Sequence, residues 1–318
     1  MAVTNFLVSS LPDYVQQNRD LIVKSFALAN TGTRARIGLQ TGIKKSAYLN
    51  YLDLVPSFQD GSSCGFNPLD SITLTHKEIE VATIKVDGQI CPETLLGKYG
   101  EWLVRVNATQ NDLPFEQYII DTLIAQINKG IEGLIWQGDT SGSDPIDGFL
   151  TQFAADGNVL TETIAAGTTA YEGILQVFLA MPEEAVERGG VIFVGPEVFR
   201  YFVAGLVAAN YYHYAGPADA APEEFVFPGT NVRVIKAAGL LGTSVVVGTF
   251  ADNLVYGTDG ENDSEAVDLW WSQDDRVFKY QVKWNSGVAY HFSDQIVVGT
   301  FEDTPAISCH LCGVPAGD

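Results

Sequence analysis

The most regular pattern in the chain is a run of apolar residues at helical spacing. Ile120, Ile124, Ile127, Ile131 and Leu134 recur at intervals of four, three, four and three, the stripe that a helix turns toward a core. Asn111 or Asp112 stands where a cap belongs, Pro114 near the first turn, and Gly138 just after Trp136 as a stop signal. The spacing predicts a helix over 114–135, a rod of roughly 33 Å at about 1.5 Å per residue. A rod with one apolar stripe needs a sheet or other elements packed along it.

Elsewhere the period is two. Residues 37–86 are strand-like and punctuated by the turn signals Asp60-Gly-Ser-Ser63 and Asn67-Pro68. Ile72-Thr-Leu-Thr75 and Ile79-Glu-Val81 alternate, and the phase slips by one before Ile84-Lys-Val86, a slip that a β-bulge could absorb. Large apolar residues are few between these turn signals, which predicts a long two-stranded excursion rather than a compact domain. Residues 1–35 read as an arm with one helix, Pro12 to Ala29, and Cys91-Pro-Glu93 as a helix start. After the long helix, 139–168 read as loop and short strand. Thr169-Ala-Tyr-Glu172 spells a capping box ahead of a helix to Leu179. Val191–Val194 is a fully apolar strand, and Pro196 opens a helix to about Tyr212. Strands follow at Phe225–Phe227, Val232–Ile235 and Ser244–Val247, and closing strands at Val277–Trp284, Val288–Phe292 and Gln295–Val298. The fold class is α+β.

Composition places this pattern in a folded protein. The 318 residues are 46% hydrophobic and include 31 glycines, enough for a sizeable core with many turns. Charge is unevenly distributed. Residues 1–50 hold Arg19, Lys24, Arg34, Arg36, Lys44 and Lys45 against Asp13 and Asp20, a net of +4, within a chain of net −21. Two readings stay open: a basic segment that lies across an acidic neighbour, or a solvated surface with chance clustering. The acidic body argues against sequence-independent nucleic-acid binding, which needs clustered Lys and Arg. The first residues lack a basic n-region and an apolar h-region, and Tyr201–Ala209 is too short to span a membrane. Folding in a cytoplasm is expected, with the four cysteines as free thiols.

The spellings of known catalytic sites are missing: no His-Glu-x-x-His, no Gly-x-Ser-x-Gly, no phosphate-binding loop and no Gly-x-Gly-x-x-Gly. Cys309-His-Leu-Cys312 is the most chemical tetrad. It would close a zinc site only with two further ligands, for which Cys64 and Cys91 are the candidates. An incidental reduced pair is the favoured reading. Asp259-Gly-Glu-Asn-Asp-Ser-Glu265 could bind Ca²⁺ through oxygens but does not match the EF-hand spelling, so a solvated acidic loop is favoured within the acidic stretch 251–275. His76, His213, His291 and His310 are widely spaced, and Tyr211–Tyr214 has no basic neighbours for base stacking. No catalytic, cofactor or metal residues are assigned, and the chain is not expected to be an enzyme.

The helix running into Gly133-Leu-Ile-Trp-Gln-Gly-Asp139, then Asp144-Pro-Ile-Asp-Gly-Phe-Leu150, resembles the spine-helix exit in tailed-bacteriophage major capsid proteins of the Hong Kong 97 fold family. Three further stretches resemble that family in the same order. They are Ser71-Ile-Thr-Leu-Thr75 through Cys91-Pro-Glu-Thr-Leu95, Val191-Ile-Phe-Val-Gly-Pro-Glu-Val-Phe199, and Tyr280–Tyr290 with Asp294-Gln-Ile-Val297. The resemblance implies a Hong Kong 97-like capsid fold with an N-terminal arm (1–36), an extended β-hairpin loop (37–86) and a peripheral domain with the spine helix (87–168). An axial domain (169–285) and closing strands with a C-terminal tail (286–318) complete it. It further implies self-assembly as hexamers and pentamers into an icosahedral head in the virion, formed in the host bacterial cytoplasm. Packaged DNA would be enclosed without sequence-specific binding and without a membrane. Implied partners are further copies of the chain, a portal protein, and separate scaffolding and decoration proteins where these are used. The alternative is an encapsulin-like nanocompartment shell. The chain starts almost directly with the arm, so scaffolding is expected from a separate protein, and no crosslink residue can be placed.

Overall fold

The computed structural model describes residues 15–18, 22, 25, 32–55, 57–58, 71–91, 115–208, 224–227, 229–259 and 266–303. Within the expected arm helix, residues 15–17, 22 and 25 are helical. The helix start at Pro92, the caps at Asn111 and Asp112, and residues 209–223 lie outside the described residues.

Three sheets organise the described chain. The two-stranded sheet pairs β2 (Ser46–Val55) with β3 (Ser71–Glu80), antiparallel and in register from Ser46 opposite Glu80 to Val55 opposite Ser71. The five-stranded sheet contains β1 (Gly38–Gln40), β4 (Ala82–Ile90), β10 (Leu254–Thr258), β11 (Ala266–Ser272) and β12 (Val277–Tyr290). It runs β1-β10-β12-β11, with β4 also paired to β12. The six-stranded sheet contains β5 (Leu160–Ile164), β6 (Gly190–Val194), β7 (Glu224–Val226), β8 (Arg233–Lys236), β9 (Val245–Phe250) and β13 (Val297–Phe301), in the order β5-β13-β9-β6-β8-β7.

These sheets interleave along the chain and do not follow its consecutive segments. Strands β10, β11 and β12, expected mostly in the axial segment, belong to the five-stranded sheet with β1 and β4. Strand β13, expected among the closing strands, lies inside the six-stranded sheet between β5 and β9. The excursion narrows to 46–80, because β1 and β4 on either side are built into the five-stranded sheet. The phase slip before Ile84 also has a different cause from a bulge. Val81 is where the chain leaves one sheet and enters another, and its N–H donates to the Lys45 carbonyl at 2.9 Å instead of to either ladder.

The helix α1 (Phe115–Gln137) ends two residues later than the spacing predicts, one residue before Gly138. Its buried face carries Ile120, Ile127, Ile131, Ile135 and Trp136, while Ile124 and Leu134 are only partly buried. It packs in one core with Ile84, Phe278, Val282 and Trp284, inward residues of the five-stranded sheet. The helix α2 (Phe149–Ala155) occupies a stretch expected to be loop and strand. It is too short to show a period, and buried Phe149 and Phe153 hold it in the same core.

Helices α3 (Ala170–Ala180), α4 (Glu183–Glu187) and α5 (Pro196–Ala208) serve the six-stranded sheet. At the start of α3 the Thr169 hydroxyl accepts from the Glu172 N–H, and the Glu172 carboxylate accepts from the Thr169 N–H, the expected capping box. Strand β6 explains its unbroken apolar sequence. Ile192 and Val194 face the core with α3 and α5, while Val191 and Phe193 face the core with α1.

Candidate functional site

The most distinctive sequence block, Trp136 to Phe149, resolves into packing. Trp136 is fully buried, with ring centroids 5.4 Å from Phe149 and 5.2 Å from Phe193. Its indole N–H donates to the Thr33 hydroxyl at 2.8 Å. Beyond it the chain crosses itself backbone to backbone, the Gly148 N–H donating to the Gly138 carbonyl at 2.9 Å. A Cβ at Gly138 would stand 2.5 Å from the Ile146 carbonyl oxygen, so only glycine fits this crossing. Asp139 accepts from the Ser141 hydroxyl (2.6 Å) and N–H (2.8 Å), which hold its carboxyl below the ordinary value. The Asp147 carboxylate accepts from the Thr140 N–H and hydroxyl. These acids tie a turn.

The same corner anchors the root of the N-terminal segment. Thr33 and Arg34, expected within an arm at 1–36, are buried in the body. The Thr33 N–H donates to Glu132 at 3.1 Å, the Arg34 guanidinium donates to Asn128 at 2.8 Å, and Arg34 pairs with Glu132 at 3.7 Å. Removing one partner of so buried a pair would leave the other charge uncompensated. Earlier residues are held there too: Val15 and Ile22 are buried in the core of α1, and the Asn128 side-chain amide donates to the Ser25 carbonyl at 3.4 Å.

The root of the β2–β3 hairpin is the second corner. Ile43, Leu49, Ile79, Val255 and Ala289 form a small core of their own where the hairpin meets β10 and β12. Gly287 lets the hairpin root press on β12, since a Cβ there would stand 2.0 Å from the Glu80 carbonyl oxygen. This contact is why Asn285-Ser-Gly287, which spells a turn, is instead the interior of a single fourteen-residue strand. On the neighbouring side Lys77 reaches Asp156 at 3.5 Å and sits over the Tyr290 ring, 3.1 Å from its centroid. The Tyr290 hydroxyl donates to the same Asp156 oxygen at 2.7 Å. Burial pushes the Lys77 ammonium below its ordinary value, against the opposing pull of Asp156. Burial also works against the Asp156 carboxylate, but hydrogen bonds from Tyr290 and the Asn158 N–H, with the charge of Lys77, outweigh it and hold that group below its ordinary value. Burial and the hydrogen bond to Asp156 push the Tyr290 hydroxyl up.

Among the described residues no group of three or more His, Cys, Asp and Glu could hold a metal ion. Cys91 is an exposed free thiol. Cys64, Cys309, His310 and Cys312, the candidate zinc ligands, lie outside the described residues, as do His213, Tyr211–Tyr214 and 260–265. His76 is exposed on the hairpin, its ring edge-on to Tyr48 at 5.2 Å. His291 is half-buried beside Phe292, and burial pushes its imidazole down despite Asp252. Of the acidic stretch 251–275, Leu254–Thr258 form the wholly buried strand β10 and Asp259 is buried, while the expected loop 260–265 lies outside the described residues. No described helix is long and apolar enough to cross a membrane.

No family model matches the chain, and no curated protein matches it in sequence. Solved structures match it in three dimensions. A chain of the satellite phage P4 procapsid including size determination (Sid) protein is 11% identical, with a TM-score of 0.58 over 91% of this chain and 99% of that one. The capsid of an empty GTA particle is 10% identical, with a TM-score of 0.54 over 86% and 91%. A chain from Gordonia phage Cozz is 12% identical, with a TM-score of 0.54 over 85% and 86%. At such identities the shared property is the path of the backbone, and it extends over most of both chains in each case. The chain is an α+β protein with the Hong Kong 97-like fold of phage capsid subunits.

Proposed function

We propose that this chain is the major capsid protein of a tailed bacteriophage, a shell subunit whose function is its set of contacts with further copies of itself. The observation that carries the reading is the β2–β3 hairpin. Its two ten-residue strands pair only with each other among the described residues, and the small core that seats them lies at their root. An isolated two-stranded ladder is marginal in water, and its two open edges invite further pairing or cover. The register puts Tyr48 opposite Glu78 and Asn50 opposite His76 on one face, and all four are exposed. Such a ladder is poorly built for a monomer and well built for lying on a neighbour.

In this reading the N-terminal segment is the arm, rooted in the body through Val15, Ile22, Thr33 and Arg34, and the hairpin is the extended loop. The five-stranded sheet with α1 is the peripheral domain, and the six-stranded sheet with α3 to α5 the axial domain. The fold shared with phage and GTA capsid chains supports this division. Hexamers and pentamers of the chain close an icosahedral head around DNA held without sequence-specific contacts, and one vertex carries a portal protein. Scaffolding and decoration, where used, come from separate proteins. Assembly takes place in the host cytoplasm, and the mature location is the virion.

Electron microscopy of the full chain expressed alone, or with its portal and scaffolding partners, tests the reading. Closed shells are expected. A protein that stays monomeric under all of these conditions would contradict it, and small shells loaded with an enzyme and no DNA would point to a cellular nanocompartment instead.

A further inference from the structure

The hairpin is a lever, and its mechanical problem is the angle at which it leaves the body. The ladder extends from Leu49, opposite Lys77, to Val55, opposite Ser71, roughly 20 Å at about 3.4 Å per residue. A swing of about 10° at the root therefore displaces the far end by roughly 3 Å, enough to lose register with any docked surface. The apolar cluster at the root is small and lies on one side, around Ile43, Ile79 and Val255. An apolar contact alone is non-directional and tolerates sliding.

We propose that Lys77 is a positioning residue, and that with Asp156 and Tyr290 it forms a latch fixing the angle between hairpin and body so that the hairpin meets a second copy in register. This rests on the shell reading above. Three features support it. Lys77 lies on β3 outward of Ile79, and its partners come from two separate body elements, the residue capping α2 and the last residue of β12. The contact is directional in two ways, because the ammonium is held both by a carboxylate 3.5 Å away and by the face of an aromatic ring. The two partners are also fixed to each other, Tyr290 donating to Asp156 at 2.7 Å, and Asp156 accepts further from the N–H and side-chain amide of Asn158.

The energetics suit a positioning role. Burial costs the Lys77 ammonium more than Asp156 returns to it, which is the direction of its shift. Burial opposes the lysine while the hydrogen bonds of the cluster favour the aspartate, so the two sides offset and the exacting geometry is what the contact adds. Removing it should loosen the hinge without unfolding the body.

The test is a distance distribution. Spin labels go on Asn50→Cys in the hairpin and Glu162→Cys on exposed β5 of the body, in a full chain with Cys64, Cys91, Cys309 and Cys312 changed to Ser. Double electron–electron resonance then reads the hinge. The expected result is a narrow distribution for the parent and one about twofold broader for Lys77→Met, with thermal midpoints nearly equal. Lys77→Arg, which keeps charge and ring contact, should recover most of the narrowing, and Tyr290→Phe, which keeps the ring and loses the tie to Asp156, should broaden it partially. In assembly trials Lys77→Met should give particles of mixed diameter. Equal widths in parent and Lys77→Met, or a broad distribution in the parent, would overturn the latch while leaving the shell reading intact. A parent chain that never assembles would remove the shell reading whatever the widths show.

Discussion

Strands β3 and β6 make opposite uses of alternating side chains. In β6 all five residues are buried, because the strand is the wall between two cores, with Phe193 against Trp136 on one side and Ile192 and Val194 beneath α3 and α5 on the other. In β3 the body side of the root is buried at Ile79, while His76, Glu78 and Glu80 stand in solvent. The first strand is finished within one chain. In the proposed shell the second is finished by an adjacent copy. The difference teaches where to look for contacts with further copies: at the elements whose described residues stay in solvent.

The largest expected effect comes from removing the unfinished element. Replacing 46–80 by a short glycine linker is geometrically feasible, because Lys45 and Val81 are already joined by a hydrogen bond of 2.9 Å. The body should keep its cooperative unfolding transition by circular dichroism, and electron microscopy should find no shells. Normal shells from this variant would erase the contrast between the two strands. The reverse experiment attacks the finished element. Phe193→Ala opens a cavity against Trp136 and should cost about 3–5 kcal/mol in urea unfolding, since that site cannot collapse without moving α1. A loss under about 1 kcal/mol would mean that the wall between the cores is softer than its packing implies.

Smaller effects sharpen the comparison at its edges. Thr169→Ala removes one half of the capping box of α3 and should lower stability by about 1 kcal/mol, measured in the same assay. Assembly should be unaffected, because the change lies within the completed part of the molecule. The smallest effect is acid sensitivity at the hairpin root. The Asp156 carboxyl titrates below its ordinary value of 3.8, so between its folded and unfolded values the unfolded chain binds the extra proton. Its contribution is fully present above that ordinary value and fades as pH falls below it. Unfolding midpoints at pH 5 and pH 3 should therefore fall less for Asp156→Asn than for the parent. Parallel losses would mean that Asp156 does not carry this sensitivity.

Much of the fold was legible where structure is decided locally. The period of Ile120, Ile127 and Ile131 reported α1, the Thr169–Glu172 spacing reported a cap, and the apolar run 191–194 reported a strand buried on both faces. What escaped is decided by distant neighbours. Gly287 spells a turn until Glu80 presses on it, and α2 has no period to show and depends on Phe149 and Phe153 reaching the core of α1. Interleaved sheets were invisible for the same reason, since pairing β4 with β12 joins residues almost two hundred positions apart. The hairpin itself could be read from its alternation and its scarcity of large apolar residues. Its latch could not, because Lys77 looks like any polar residue of an alternating strand until Asp156 and Tyr290 arrive from elsewhere in the sequence. Thr33 and Arg34 were likewise read as arm, and only Trp136 and Glu132 reveal that they are core.

The most direct test of a shell subunit completed by its neighbours is a cryo-electron microscopy reconstruction of particles grown from the full chain. The shell reading predicts closed shells in which the hairpin of each subunit lies on an adjacent copy, with the face that carries Tyr48, Asn50, His76 and Glu78 covered. Particles in which that face stays in solvent, or a chain that remains a monodisperse monomer, would contradict it.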